Sequence, residues 1–164
     1  MPINQLAPTS KIWIYQSQKD FILENEIFIS QVLTEFVNGW QSHGAPIAGA
    51  FEIISHRFIL IAADEQQASA SGCSIDKSVG AIRAIEDQLQ TGLLDRGSLS
   101  FMKNDKIETI AFDTIKSAIA VGDIKPETII FNNNIDQLAL LHTHWKVAAG
   151  ETWLNRMFAK TKAV

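Results

Sequence analysis

The chain holds one thiol, Cys73, in the small-residue stretch Ala68-Ser-Ala-Ser-Gly-Cys-Ser-Ile-Asp76. The stretch follows an apolar run and precedes an amphipathic one, so a helix is expected to open there. The first turn of a helix presents backbone N–H groups without intrahelical partners and the positive end of a dipole. Ser71, Gly72, Cys73, Ser74 and Asp76 therefore gather hydroxyls, a thiol and N–H groups at one helix start, with Ser74 or Asp76 as its expected cap. Such a set suits a phosphate or carboxylate. A thiol in that setting also suits nucleophilic catalysis when a base stands beside it. His43 is the candidate base, in the glycine-bounded loop Gly39-Trp-Gln-Ser-His-Gly-Ala-Pro46, where Trp40 adds a flat apolar face.

Two functional expectations follow. The first is a ligand site at Ser71, Gly72, Cys73, Ser74 and Asp76, completed by Trp40 and His43, that holds a small molecule or anion. The second is a cysteine-dependent acyl-transfer or hydrolytic enzyme, with Cys73 as nucleophile, His43 as base and the first-turn N–H groups as oxyanion hole. The helix dipole favours an anion by only about 0.3–1 kcal/mol. Asp76 adds a like charge, so an activated thiolate would depend on His43. The binding reading leads for that reason. The same residues also fit a quiet capped helix with a small buried cysteine.

Other groups carry weaker chemistry. Asp64 and Glu65 are adjacent at the end of an apolar run, and neighbours on a strand point to opposite faces. His142-Thr-His144 falls in a stretch read as helical, where residues two apart do not share a face. Neither arrangement calls for a metal, and no cofactor is expected. Trp13, Trp40, Trp145 and Trp153 are read chiefly as core, each wanting a partner for its N–H where buried.

The elements that must position these residues can be read from periodicity. Residues 1–10, with Pro2 and Pro8, read as an arm, and residues 11–164 as one domain. Lys11–Gln16 is aromatic and β-branched, a strand. Ser17 and Asp20 have capping-box spacing before the stripe Ile22, Ile29, Leu33, Phe36 and Trp40, a helix from about Asp20 to Asn38. Ile47–Ile54 and Arg57–Ala63 read as paired strands. Ile75, Val79, Ile82, Ile85 and Leu89 mark a second long helix. Ser98–Met102 and Ile107–Phe112 flank a turn at Asn104-Asp105. Asp113 to Ala120, Ile135 to Trp145 and Glu151 to Lys160 read as shorter helices, with a short strand or buried turn at Thr128–Phe131. The expected fold is α+β, with a single antiparallel sheet and two long helices on one face. Its order is β-α-β-β-α-β-β, ferredoxin-like or related, followed by short C-terminal helices.

Three segments carry a resemblance: Gly39-Trp-Gln-Ser-His-Gly44, Arg57-Phe-Ile-Leu-Ile-Ala-Ala-Asp-Glu65 and Ser71-Gly-Cys-Ser-Ile-Asp76. Through them the chain resembles a family of short, uncharacterised bacterial proteins often labelled ABC-transporter ATPases. The resemblance implies no reaction, ligand or catalytic residue. A phosphate-binding loop needs Gly-x-x-x-x-Gly-Lys-Ser/Thr. Neither Gly44–Gly49 nor Gly72–Gly80 is followed by lysine, so ATPase activity is not expected.

Charge and composition narrow the partners. The 164 residues carry a net charge of −4, which argues against a nucleic-acid partner. No stretch approaches the roughly 20 apolar residues of a membrane span. The first residues lack a basic, then apolar, leader pattern. With a lone cysteine, these features lead to the expectation of a soluble cytoplasmic binding or interaction module. An open sheet edge or face would also allow two copies to pair as a homodimer.

Overall fold

The computed structural model describes residues 2–66 and 68–162; Met1, Gln67 in the polar loop, and the last two residues lie outside it. The chain divides into two compact units. One contains everything up to Leu94 together with Asn134–Leu140, and the other Asp95–Asn133 with the chain from Leu141 onward.

The first unit is built on strands β1 (Lys11–Gln16), β4 (Ala48–Ile54) and β5 (Phe58–Asp64), in the spatial order β1-β5-β4. Both pairings are antiparallel, with Ile61 opposite Trp13 on one side and Phe51 on the other. The continuous apolar run Phe58–Ala63 is explained by position: β5 is central and every residue of that run is buried. Helix α1 (Leu23–Asn38) buries Ile29 and Leu33, and helix α2 (Gly72–Leu89) buries Ser74, Ser78, Ile82 and Ile85 at helical spacing. Both pack over Tyr15, Ile59 and Ile61 in one core. Between α1 and β4, the two-residue strands β2 (Gln41–Ser42) and β3 (Ala45–Pro46) form a small hairpin where a loop was expected.

Helix α1 starts later than its capping-box spacing predicts. The Asp20 carboxylate accepts from Arg57 Nη1 at 2.9 Å, and Asn25 Oδ1 instead accepts the Ile22 N–H at 3.2 Å. Residues 2–10 are tied to the body, with Leu6 and Ser10 buried and the Ser10 carbonyl accepting from the Leu138 N–H at 2.9 Å.

The second unit carries its own antiparallel sheet, β7-β6-β8-β9, from β6 (Ser98–Lys103), β7 (Lys106–Ala111), β8 (Ile129–Phe131) and β9 (Lys146–Ala148). Leu99, Phe101 and Ile130 of this sheet form a separate core. Ile115 and Ile119 of helix α3 (Ile115–Ala120) join it, as do Leu154, just before helix α4 (Asn155–Lys162), and Phe158 within α4.

The single-sheet expectation is therefore corrected. Among the described residues there are three antiparallel sheets, of three, two and four strands, and four α-helices rather than one sheet under two long helices. The first five predicted elements hold the expected split order. The sixth, β6, pairs with β7 through a two-residue turn at Asn104-Asp105, both with positive φ, and with β8 at Phe101↔Ile130. A hairpin closed by two residues has little loop entropy to overcome, and it leaves the first sheet without a fourth strand. The position beside β1 is taken by part of the segment expected to be helical. Gln137 bridges to Lys11, and the Ile12 N–H donates to the Asp136 carbonyl at 3.1 Å. Only Leu138–Leu140 of that segment forms a 3-10 turn.

The exit of α2 depends on one carboxylate. Glu86 accepts from the N–H groups of Thr91, Gly92 and Leu93 at 2.6, 3.1 and 2.7 Å, while Gln90 takes a left-handed conformation. Glu86→Ala leaves three N–H groups without this acceptor and should cost about 2–3 kcal/mol. At this chain length that is a fall of roughly 4–10 °C in Tm, which thermal unfolding followed by circular dichroism will measure.

Candidate functional site

The start of α2 is organised by its own serines. Ser71, not Ser74 or Asp76, is the cap: its Oγ accepts the Ser74 N–H at 3.3 Å, and Ser74 Oγ donates to the Ser71 carbonyl at 2.8 Å. The loop before it is also internally bonded. Glu65 Oε1 accepts the Ala70 N–H at 2.8 Å, Glu65 Oε2 pairs with Lys11 at 3.3 Å, and Asp64 Oδ1 accepts the Gln66 N–H at 3.0 Å. Asp64 and Glu65 thus serve separate local bonds. Gly72, Cys73 and Asp76 are exposed, and Ser74 is buried.

The structure brings the two predicted loops together through Trp40. Its indole Nε1 donates to the Ser74 carbonyl at 2.9 Å, and β2 runs alongside the start of α2. Trp40 is 2% exposed, with its ring 4.8 Å from that of Phe36 and 6.2 Å from that of Trp13. On its other side Gly49 has no side chain to collide: a Cβ there would lie 2.7 Å from Trp40 Cε3. Trp40 therefore acts as a post between α1, β4 and α2, with its ring against Phe36 and Gly49 and its N–H bonded to Ser74. Beside it Ser42 Oγ is buried without a hydrogen-bond partner among the described residues.

His43 sits at the exposed tip of the hairpin, with His43 and Gly44 both at positive φ as a type I′ turn requires. Among the described residues neither the His43 ring nor the Cys73 thiol makes a hydrogen bond, so the nucleophile–base bond is not in place. His142 and His144 lie on turns, and His144 Nδ1 is 2.7 Å from Thr143 Oγ1. No cluster of His, Cys, Asp or Glu among the described residues has the geometry to hold a metal. Trp145 is core, donating to Asn133 Oδ1 at 2.9 Å. Trp153 is exposed, with its ring edge-on to Phe112 at 5.9 Å.

Sequence reasoning missed a groove of about 740 Å³ on the outer flank of α1. Leu23, Ile27, Thr34 and Glu35 line it from the helix and Ile53 from β4. Leu23 is 72% and Ile27 50% exposed. β4 is an edge strand of its sheet, pairing with β5 alone, and the 3-10 turn Ile3–Gln5 also lies close to it. Leu23 and Ile27, four residues apart and off the stripe of Ile29 and Leu33, were the signal available in the sequence.

No family model, curated protein or solved structure matches the chain. Among the described residues, no helix is long and apolar enough to cross a membrane.

Two outcomes follow from this geometry. Gly49→Ala forces the buried Trp40 ring to move, at a cost of about 1–3 kcal/mol, and the shift will appear in near-UV circular dichroism and tryptophan fluorescence. Cys73 will alkylate with iodoacetamide in the folded protein, because it is exposed, and His43→Ala will leave that rate unchanged. A marked slowing in the variant would restore the enzyme reading.

Proposed function

We propose that this chain is a small binding module that takes hold of a partner polypeptide in the groove between α1 and the edge of β4. The observation that carries the reading is the pairing of exposed apolar side chains, Leu23 and Ile27, with a strand edge that has a hydrogen-bonded neighbour on one side only. An open edge and an adjoining apolar cleft are what strand-adding recognition uses. Proteins that do not bind there usually blunt such an edge with lysine, proline or a covering element. The start of α2 remains a secondary anion site in this proposal. Its first-turn N–H groups favour that role, while the use of Ser71 and Ser74 in the cap and the charge of Asp76 oppose it. A cytoplasmic location belongs to the same reading and is supported by the single exposed thiol of Cys73, which a reducing compartment keeps free. The absence of a phosphate-binding loop motif supports the view that the module is not an ATPase.

The test is selection of binders from a display library of random peptides against the folded chain, repeated with Ile27→Ser. Binders that lose about tenfold or more in affinity with the variant support the groove, the scale expected when a well-packed apolar anchor is truncated. Binders that ignore the substitution and compete instead with inorganic phosphate would move the site to the start of α2.

A further inference from the structure

Charge is unevenly distributed along this chain. Residues 20–56 contain Asp20, Glu24, Glu26, Glu35 and Glu52 and not one lysine or arginine. The segment thus carries more negative charge than the −4 of the whole chain, and it supplies α1 and β4, the two walls of the groove. Two of its carboxylates have local partners: Asp20 pairs with Arg57 at 2.9 Å, and Glu26 Oε1 lies 2.6 Å from His56 Nδ1. Glu24, Glu35 and Glu52 are exposed and, among the described residues, make no ion pair. Glu35 stands on the groove side. Glu52 follows Phe51 and precedes Ile53, both packed towards the helices, so strand alternation turns it to the opposite face.

Resting on the groove reading above, we infer that the occupant is an extended segment of alternating apolar and basic residues that adds to the sheet as a strand beside β4. Its apolar side chains face Leu23, Ile27 and Ile53. Its lysines or arginines lie across from Glu52 on the other face, and one near the segment's end reaches Glu35. Opposite charges directly across a strand pair stabilise it, and like charges oppose it. The dimensions agree: the 16 residues of α1 span about 24 Å, and the 7 residues of β4 span about 23 Å. The charge also selects against the homodimer expected from sequence. Edge-to-edge pairing of two copies through β4 would bring two unpaired acidic rims together with no cation between them.

The experiment uses the full chain and synthetic peptides of about nine residues, long enough to cover β4. One peptide alternates valine and lysine, one valine and glutamate, and one valine and serine. A fourth is the lysine peptide N-methylated at alternate backbone nitrogens, which blocks strand pairing. Binding is read by fluorescence anisotropy, the site by amide hydrogen exchange and self-association by sedimentation. The expected result is binding of the lysine peptide alone, weakened by added salt, with slowed exchange along β4. Glu35→Gln and Glu52→Gln should each weaken it by about threefold, the scale of an exposed charge pair. Binding of the N-methylated peptide as tightly as its parent overturns strand addition, and indifference to both glutamine variants overturns the basic partner. If the valine–serine peptide binds equally well and Ile27→Ser abolishes it, the groove reading stands and this inference falls. If nothing binds and the chain forms dimers that Ile27→Ser dissolves, the occupant is a second copy. If nothing binds and the chain is a monomer, both readings fall.

Discussion

The hydrogen bond from the Trp40 indole to the Ser74 carbonyl is the contact through which the first unit is held in register. It couples the last residue of the α1 stripe to the first turn of α2, across 34 positions of sequence. It works only because three other conditions are met at once. Gly49 leaves room for the ring, Phe36 and Trp13 pack against it, and the β2–β3 hairpin returns the chain so that β4 can begin. A buried indole needs a partner for its N–H, and a helix start offers a carbonyl that is already paired within the helix but has a second lone pair available. Satisfying the one positions the other. The exposed thiol of Cys73 and the hairpin tip at His43 are brought near one end of α2 as a by-product of this packing, without the direct bond that chemistry between them would require.

This arrangement separates two surfaces of the same unit. At the start of α2, polar groups are turned inward on one another through Ser71, Ser74, Glu65 and Ala70, and little bonding capacity faces outward. Along the outer flank of α1 the reverse holds. The core takes Ile29 and Leu33, whereas Leu23 and Ile27 remain in water beside an unpaired strand edge. The exposed part of these side chains contributes nothing to the stability of the isolated chain, and its burial by a partner would release about 25 cal/mol for each Å² removed from water. The functional proposal follows from where the structure leaves unused interaction energy.

Much of the local structure was legible in the residues. The aromatic and β-branched run at Lys11–Gln16, the apolar stripes of α1 and α2 and the turn at Asn104-Asp105 all act over short range, and each forms about where its pattern indicates. What was not legible is the choice of partner. The pairing of Phe101 with Ile130 and of Lys11 with Gln137 carries no local signal, and the first of these moves β6 out of the sheet that its place in the chain suggested. The segment from Ile135 to Trp145 has apolar residues at intervals that fit a helix, yet the free side of β1 claims its backbone. At the candidate site the helix start at Ser71–Asp76 was evident. The role of Trp40 was not, because its acceptor is a main-chain carbonyl and the space it needs is provided by Gly49. The groove escaped notice because Leu23 and Ile27 merge with the core stripe when apolar residues are counted without regard to face.

The return of Asn134–Leu140 to the first unit has a bearing on how the protein is made. The backbone that bonds along the outer side of β1 is synthesised more than a hundred residues after β1 itself. In the interval β6, β7 and α3 have emerged and the β6–β7 hairpin can close, whereas β9 and α4, which complete the second core, follow only afterwards. The first unit is thus completed by a stretch of chain delivered from within the second, and no single peptide bond can be cut to yield both units whole. Any nascent or truncated product that stops short of Gln137 carries β1 with a bare flank, and such a flank is a template for unwanted association with other chains.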